Sequence, residues 1–170
     1  MVTTADNGRM TGELRHQLVQ LLRGGQAHMT FDSAVADFPA WAINQRPPNV
    51  DYTPWHLVEH LRITQWDMLR YIEDPAGHVS PDWPVGYWPD PAAETDEAGF
   101  ARSVHGFVAD LRAMEAIALD EGRDLDAVLE GTPGHTPLRG LMIIGNHNSY
   151  HVGEFAALRQ VMGSWPKSRV

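Results

Sequence analysis

The length and composition of the chain limit what it can be. Its 170 residues, 43% hydrophobic and 21% charged, suit one globular domain with a single core, and we take residues 1–170 as that domain. Thirteen basic and twenty-two acidic residues give a net charge of -9, whereas surfaces that bind nucleic acid concentrate Lys and Arg. We therefore expect no nucleic-acid partner. No apolar run suggests a signal segment or a membrane span, so we also expect no membrane association and a cytoplasmic location.

Helical patterns occupy the first part of the chain. Apolar residues at steps of three and four predict an amphipathic helix over residues 9–23, and Thr30 can cap a shorter helical piece. Thr53 followed by Pro54 predicts the start of another helix, because threonine accepts the free N–H groups of a first turn and proline fits the first helical position. This helix should end near Glu73.

The second part of the chain begins with an irregular segment. Residues 74–94 are rich in proline and aromatic residues and predict an ordered crossover loop. Apolar periodicity then predicts a helix from Thr95 to about Asp120, and Thr136 with the following proline starts a last helix that ends at Gly163. With four long helices and no convincing strand, we predict an all-α four-helix bundle. The long loops favour a crossover topology over an up-down-up-down one.

Two histidines of the last predicted helix suggest a metal site. His147 and His151 are four residues apart, so their Cβ atoms should lie about 5–6 Å apart on one helical face. They fall in an apolar stripe with Ile144 and Phe155 and should face the interior, where unpaired imidazoles cost free energy. Such a pair also occurs by chance in a chain with nine histidines. Because the chain has no cysteine, a metal would need imidazole, carboxylate, amide or water ligands, and zinc, nickel or iron(II) would fit.

A third ligand can come from the second long helix, "PWHLVEHLRITQWDML". There His56 and His60 are also four residues apart. His60 shares its face with Leu57 and Met68, which favours an inward direction, whereas His56 lies in the first turn. One or both can complete the site, and a single one would leave a position open to water or substrate.

Three segments together resemble a known family. The runs "AHMTFDSAVADFP", "PWHLVEHLRITQWDML" and "NHNSYHVGEFAALRQVMG" occur in the order and spacing of the DinB-like superfamily, four-helix-bundle metalloproteins that include the YfiT-type proteins regarded as hydrolases. The resemblance covers nearly the whole chain up to Gly163. It implies that His60, His147 and His151 bind the metal, with waters completing the coordination sphere. It also implies a crossover bundle that often forms homodimers.

Several neighbouring polar residues allow two interpretations each. Glu154 can accept a hydrogen bond from a ligand histidine or act as a general base, although a partly exposed helix glutamate is the commoner case. Asp67 can orient an imidazole or face water. Asn146 and Asn148 can bond a bound ligand or face solvent, and Tyr150 is expected to serve packing. Among these residues Glu154 is the one catalytic candidate, as a general base, and its two interpretations stay open.

The predicted three-histidine site indicates classes of reaction. A metal ion on three neutral imidazoles keeps its charge, so it can acidify a bound water, polarise a carbonyl or stabilise a thiolate. Hydrolysis of a small-molecule substrate and transfer to a thiol cosubstrate are both possible, and the resemblance adds weight to the second, since the superfamily includes thiol-dependent transferases and isomerases. The alternative is a non-catalytic bundle for ligand binding or stress response, with a structural metal or none.

Overall fold

The computed structural model describes residues 11–167, and within that range all regular structure is helical. Its five α-helices are α1 (Gly12–Arg23), α2 (Phe31–Val35), α3 (Pro54–Glu73), α4 (Glu97–Leu119) and α5 (Pro137–Met162). The predicted all-α class is thus confirmed for this part of the chain. Residues 9 and 10 of the first predicted helix lie outside the described residues. Among the described helices, none is both long and apolar enough to cross a bilayer.

Polar side chains cap the helix starts. The hydroxyl oxygens of Thr30, Thr53 and Thr136 each accept a backbone N–H from the first turn of the following helix, as the sequence predicts. The start of α4 is different, because Asp96 rather than Thr95 is the cap and accepts the N–H of Gly99 at 2.7 Å. A carboxylate is a stronger acceptor for these free donors than a hydroxyl, since it also carries charge at the positive helix end.

The long helices pack around two apolar clusters. Helices α1 and α3 each contact both α4 and α5. One cluster includes the fully buried Leu69, Met114 and Leu141. The other includes Leu57 of α3 and Phe155 of α5, both of which are close in sequence to the candidate ligand histidines. The predicted metal ligands are therefore sequence neighbours of residues in this second cluster.

A buried arginine ties α1 to the end of α4. The Arg15 side chain is only 2% exposed, and its guanidinium donates to the carbonyl oxygens of Ala118, Asp120 and Arg123 at 2.9, 2.9 and 2.7 Å. The last carbonyls of a helix have no partner within the helix and carry partial negative charge. The positive charge of Arg15 thus satisfies groups that would otherwise be buried without partners.

Side chains of α3 hold the segment that joins α3 to α4, residues 74–96, here called the α3–α4 loop. The buried Asp67 carboxylate contacts His78 Nε2 at 2.7 Å and accepts the hydroxyl of Tyr87, also at 2.7 Å. Near the other end of the loop, His56 Nε2 donates to the carbonyl oxygen of Asp90 at 3.0 Å. The loop is therefore fixed against α3, and Asp67 is an internal anchor for it.

Candidate metal centre

Three imidazoles from two helices meet in one place. His60 comes from α3, and His147 and His151 come from α5; each offers one nitrogen, and these three nitrogens all lie within 4.8 Å of one another. The Nε2 atoms of His60 and His147 are 3.1 Å apart. Within residues 11–167 this is the group of histidine and carboxylate side chains that could hold a metal ion. The three histidines are close enough to bind one ion, as the sequence and the family resemblance predict.

The spacing fits first-row metals. Two nitrogens that lie about 2.0–2.1 Å from a tetrahedral zinc ion are about 3.3 Å from each other. The separation of 3.1 Å between His60 Nε2 and His147 Nε2 is close to that value. A set of imidazole ligands suits zinc, nickel and iron alike. The donor atoms therefore fit a divalent transition metal without selecting one.

His60 is the most constrained of the three. It is 4% exposed, its Nδ1–H donates to the carbonyl oxygen of Tyr87 at 2.8 Å, and Trp88 stacks on its ring with centroids 3.9 Å apart. Burial lowers the pKa of His60 to about 4, although the Tyr87 carbonyl opposes this shift. The ring is thus neutral near pH 7, and its Nε2 lone pair is available to a metal.

His151 is held by a carboxylate. Its Nδ1 donates to one oxygen of Glu154 at 2.6 Å, and the hydroxyl of Tyr52 donates to the other oxygen. Burial would raise the pKa of Glu154, but the hydrogen bonds from His151 and Tyr52 and the charge of the imidazolium form lower it overall. An ionised carboxylate on Nδ1 increases the basicity of Nε2, the nitrogen of His151 that stays available to a metal. The structure therefore supports the acceptor role among the two considered for Glu154.

Tyr52 remains a donor to that carboxylate. Burial raises the pKa of the Tyr52 phenol, and its hydrogen bond to Glu154 raises it further. Both Glu154 oxygens consequently accept hydrogen bonds, from His151 and from Tyr52. Glu154 is better placed to orient His151 than to take a proton from a substrate.

His147 has the least complete surroundings. Burial, followed by the charges of His151 and His60, lowers the pKa of His147 to about 4. Its Nε2 faces His60, while its Nδ1 is buried and has no hydrogen-bond partner among the described residues. The same is true of the side-chain oxygen of the next residue, Asn148. His147 therefore differs from the other two candidate ligands, because its Nδ1 has no hydrogen-bond partner within residues 11–167.

His56, predicted as an additional or alternative ligand, is not brought into this group. It occupies the third position of α3, where its Nδ1 accepts the backbone N–H of Thr53 at 3.2 Å. Its Nε2 is bonded to the Asp90 carbonyl oxygen at 3.0 Å. Both ring nitrogens are thus used in capping the helix and fixing the loop, so the structure corrects this alternative.

Some contacts of the site carry no signal in the sequence. Tyr150, which we expect to serve packing, is 70% exposed and stands edge-on to His151 at a centroid distance of 4.9 Å. The Tyr87 contact uses a backbone carbonyl, which any residue provides. Trp88 and Tyr52 lie outside the histidine helices. The aromatic composition of residues 74–94 indicates that this loop packs on the helices, but it singles out neither residue.

Comparisons of the chain with protein-family models, with curated proteins and with solved structures find no match in any of the three. The resemblance to the DinB-like superfamily accordingly stays a prediction. The interpretation of the site rests on the convergence of His60, His147 and His151 and on the hydrogen bonds of these rings.

Proposed function

We propose that the chain is a DinB-like metalloprotein in which His60, His147 and His151 hold one divalent ion of zinc, nickel or iron. The observation that carries this proposal is the convergence of three ring nitrogens within 4.8 Å. Two of the rings also have their Nδ1 atoms bonded to the acceptors Tyr87 and Glu154. This is the arrangement that fixes imidazole ligands on a metal.

The exposure of the three rings supports a reactive site over a closed structural one. His60 is buried, whereas His147 and His151 are only partly buried, next to the exposed Tyr150. Structural zinc sites in proteins usually have four protein ligands, and catalytic ones keep a position for water or substrate. A small molecule would therefore reach the ion from the α5 side.

In the proposed chemistry the ion and the protein have different roles. When bound, the ion would supply positive charge that acidifies water or a thiol and polarises a carbonyl. His60 and His147 remain neutral near pH 7, so they leave that charge undiminished. Glu154 holds His151 through Nδ1, and Trp88 covers one face of His60. We propose a metal-dependent hydrolase or a thiol-dependent transferase that acts on a small molecule.

Helix packing supports the proposed crossover four-helix bundle. Because α1 and α3 each pack against both α4 and α5, these consecutive long helices would stand at opposite corners of a bundle. A diagonal step of this kind requires a long connection, and residues 24–53 provide one. The single domain over residues 1–170 and the family's homodimer remain predictions alongside it.

Metal binding by purified protein tests the proposal directly. We expect one equivalent of zinc, nickel or iron(II) per chain in calorimetric titration, and loss of this binding in His151→Ala and His147→Ala. His105→Ala is the matched control, because His105 is an exposed histidine of α4. If wild-type protein binds none of these ions, or if His105→Ala loses binding to the same extent, the proposed site is wrong.

Activity assays separate the enzyme from the non-catalytic alternative. The metal-loaded protein should hydrolyse small esters or amides, or transfer a low-molecular-weight thiol to an electrophile, and His151→Ala should lose that activity while its circular dichroism spectrum is retained. A metal-loaded protein without either activity, whose melting temperature falls on metal removal, would instead identify a structural ion.

A further inference from the structure

Two adjacent residues carry buried polar atoms that lack hydrogen bonds within the described chain. They are Nδ1 of His147 and the side-chain oxygen of Asn148. Asn148 is only 4% exposed. Leaving a buried polar atom unpaired is unfavourable, and two such atoms on neighbouring residues require an explanation.

The direction of a hydrogen-bond chain fixes the orientation of Asn148. The backbone carbonyl of Phe107 can only accept, so the Gln65 amide nitrogen faces it at 2.6 Å. The Gln65 side-chain oxygen therefore points the other way and accepts from the Asn148 amide nitrogen at 2.8 Å. Each of these two side-chain amides is thereby oriented by its hydrogen-bond partner. This series of hydrogen bonds ends at the Asn148 side-chain oxygen, an acceptor for which residues 11–167 provide no donor.

The tautomers of His60 and His147 explain why no donor faces that oxygen in metal-free protein. His60 donates from Nδ1 to the Tyr87 carbonyl, so a neutral His60 has no proton on Nε2. The Nε2 of His147, 3.1 Å away, must then carry the proton that joins the two rings. Neutral His147 consequently has a bare Nδ1, which cannot donate to Asn148.

Binding of an ion reverses this requirement. Both Nε2 lone pairs, of His60 and of His147, would be used as ligands, so the proton of a neutral His147 must reside on Nδ1. That new N–H is buried and needs an acceptor. Another buried side-chain atom without a hydrogen-bond partner among residues 11–167 is the Asn148 oxygen, on the adjacent residue.

We propose that Asn148, oriented by Gln65, accepts the Nδ1–H of His147 when the metal is bound. Metal binding then converts two unpaired buried atoms into one hydrogen bond, and each ligand histidine has its own acceptor: Tyr87 for His60, Glu154 for His151 and Asn148 for His147. Asn148 is thus a positioning residue that favours the ligating tautomer. This inference rests on the proposed three-histidine metal site.

Nitrogen NMR of the histidine rings in wild-type protein tests the tautomer change. We expect His147 to carry its proton on Nε2 in metal-free protein and on Nδ1 after zinc is added, with a slowly exchanging Nδ1–H resonance. The same spectra should show His60 protonated on Nδ1 in both states. A zinc-loaded His147 protonated on Nε2, or one with a rapidly exchanging Nδ1–H, would overturn the role of Asn148.

Variants test the contribution of Asn148 to affinity. Asn148→Leu keeps the approximate volume and removes the acceptor, so zinc affinity measured by chelator competition should fall about ten-fold or more. Asn146→Leu is the matched control, since Asn146 precedes His147 in the sequence as Asn148 follows it, but Asn146 is exposed. Unchanged affinity in folded Asn148→Leu would sink the inference, and the wild-type NMR result decides it if this variant does not fold. Absence of zinc binding by wild-type protein would instead refute the metal site itself.

Discussion

The backbone carbonyl of Tyr87 accepts the Nδ1–H of His60 at 2.8 Å. This contact makes the α3–α4 loop part of the proposed metal centre, because the loop determines which nitrogen of His60 is free. The next loop residue, Trp88, stacks on the same ring at 3.9 Å. The Tyr87 phenol is in turn bonded to Asp67, so a second side chain of α3 positions the loop that positions His60.

Asp67→Ala should weaken both the fold and the metal site. The substitution removes the acceptor of Tyr87 and the partner of His78, which would cost about 1–3 kcal/mol of unfolding free energy in urea titrations. Because the Tyr87 carbonyl would then be less well fixed on His60, zinc affinity should fall as well, by about ten-fold.

The matched control for this prediction is Asp82→Ala. Asp82 lies on the same loop, but its side chain is exposed. Its replacement should leave both unfolding free energy and zinc affinity near the wild-type values. Wild-type zinc affinity in Asp67→Ala would show that the loop does not control His60.

Glu154→Gln tests the carboxylate on His151. Glutamine can still accept the Nδ1–H, but a neutral amide raises the basicity of the imidazole less than an ionised carboxylate does. We expect zinc affinity to fall about ten-fold in chelator competition, with unchanged helix content. Glu130→Gln, at an exposed position, should bind as wild type does. Equal affinities of the two variants would argue against any contribution of the Glu154 charge.

Features set by local periodicity could be predicted from the sequence. Helical spacing alone places His147 and His151 on one face. A threonine followed by a proline marks the starts of α3 and α5, at Thr53 and Thr136. The residue pattern leaves His56 and His60 open, because both belong to α3, and the family resemblance is what selects His60. The structure shows that the first turn of α3 uses His56 for capping.

Features set by the path of an irregular loop could not be predicted. Residues 74–94 have no period, so nothing in the sequence indicates which backbone carbonyl would meet His60. For the same reason the sequence leaves open whether Asp67 orients an imidazole or faces water, and the structure shows it buried against Tyr87 and His78. The hydrogen-bond chain through Gln65 and Asn148 likewise depends on how two helices face each other.

Tyr52→Phe should raise the pKa of Glu154. The Tyr52 hydroxyl bonds the charged carboxylate, and a donor to the charged form lowers the pKa of an acid, so its removal acts in the opposite direction. Carboxyl-carbon NMR of metal-free protein across an acid titration measures the change. Tyr150→Phe is the control, because Tyr150 contacts the His151 ring but is 70% exposed. An unchanged Glu154 titration in Tyr52→Phe would contradict the proposed contact.

Acid should destabilise the metal-free protein through its ligand histidines. Burial lowers the pKa of His60 and of His147 from the ordinary 6.5 to about 4. Between these values the unfolded chain binds protons that the folded protein does not, so unfolding free energy should fall as the pH drops from 6.5 to about 4. Each such proton contributes a slope of up to about 1.4 kcal/mol per pH unit.

Urea titrations from pH 6.5 to about 4 test this pH dependence. The slope of unfolding free energy against pH should be shallower for His147→Gln than for wild type, whereas the exposed-site variant His105→Gln should keep the wild-type slope. Identical slopes in all three proteins would mean that His147 is not neutralised by folding.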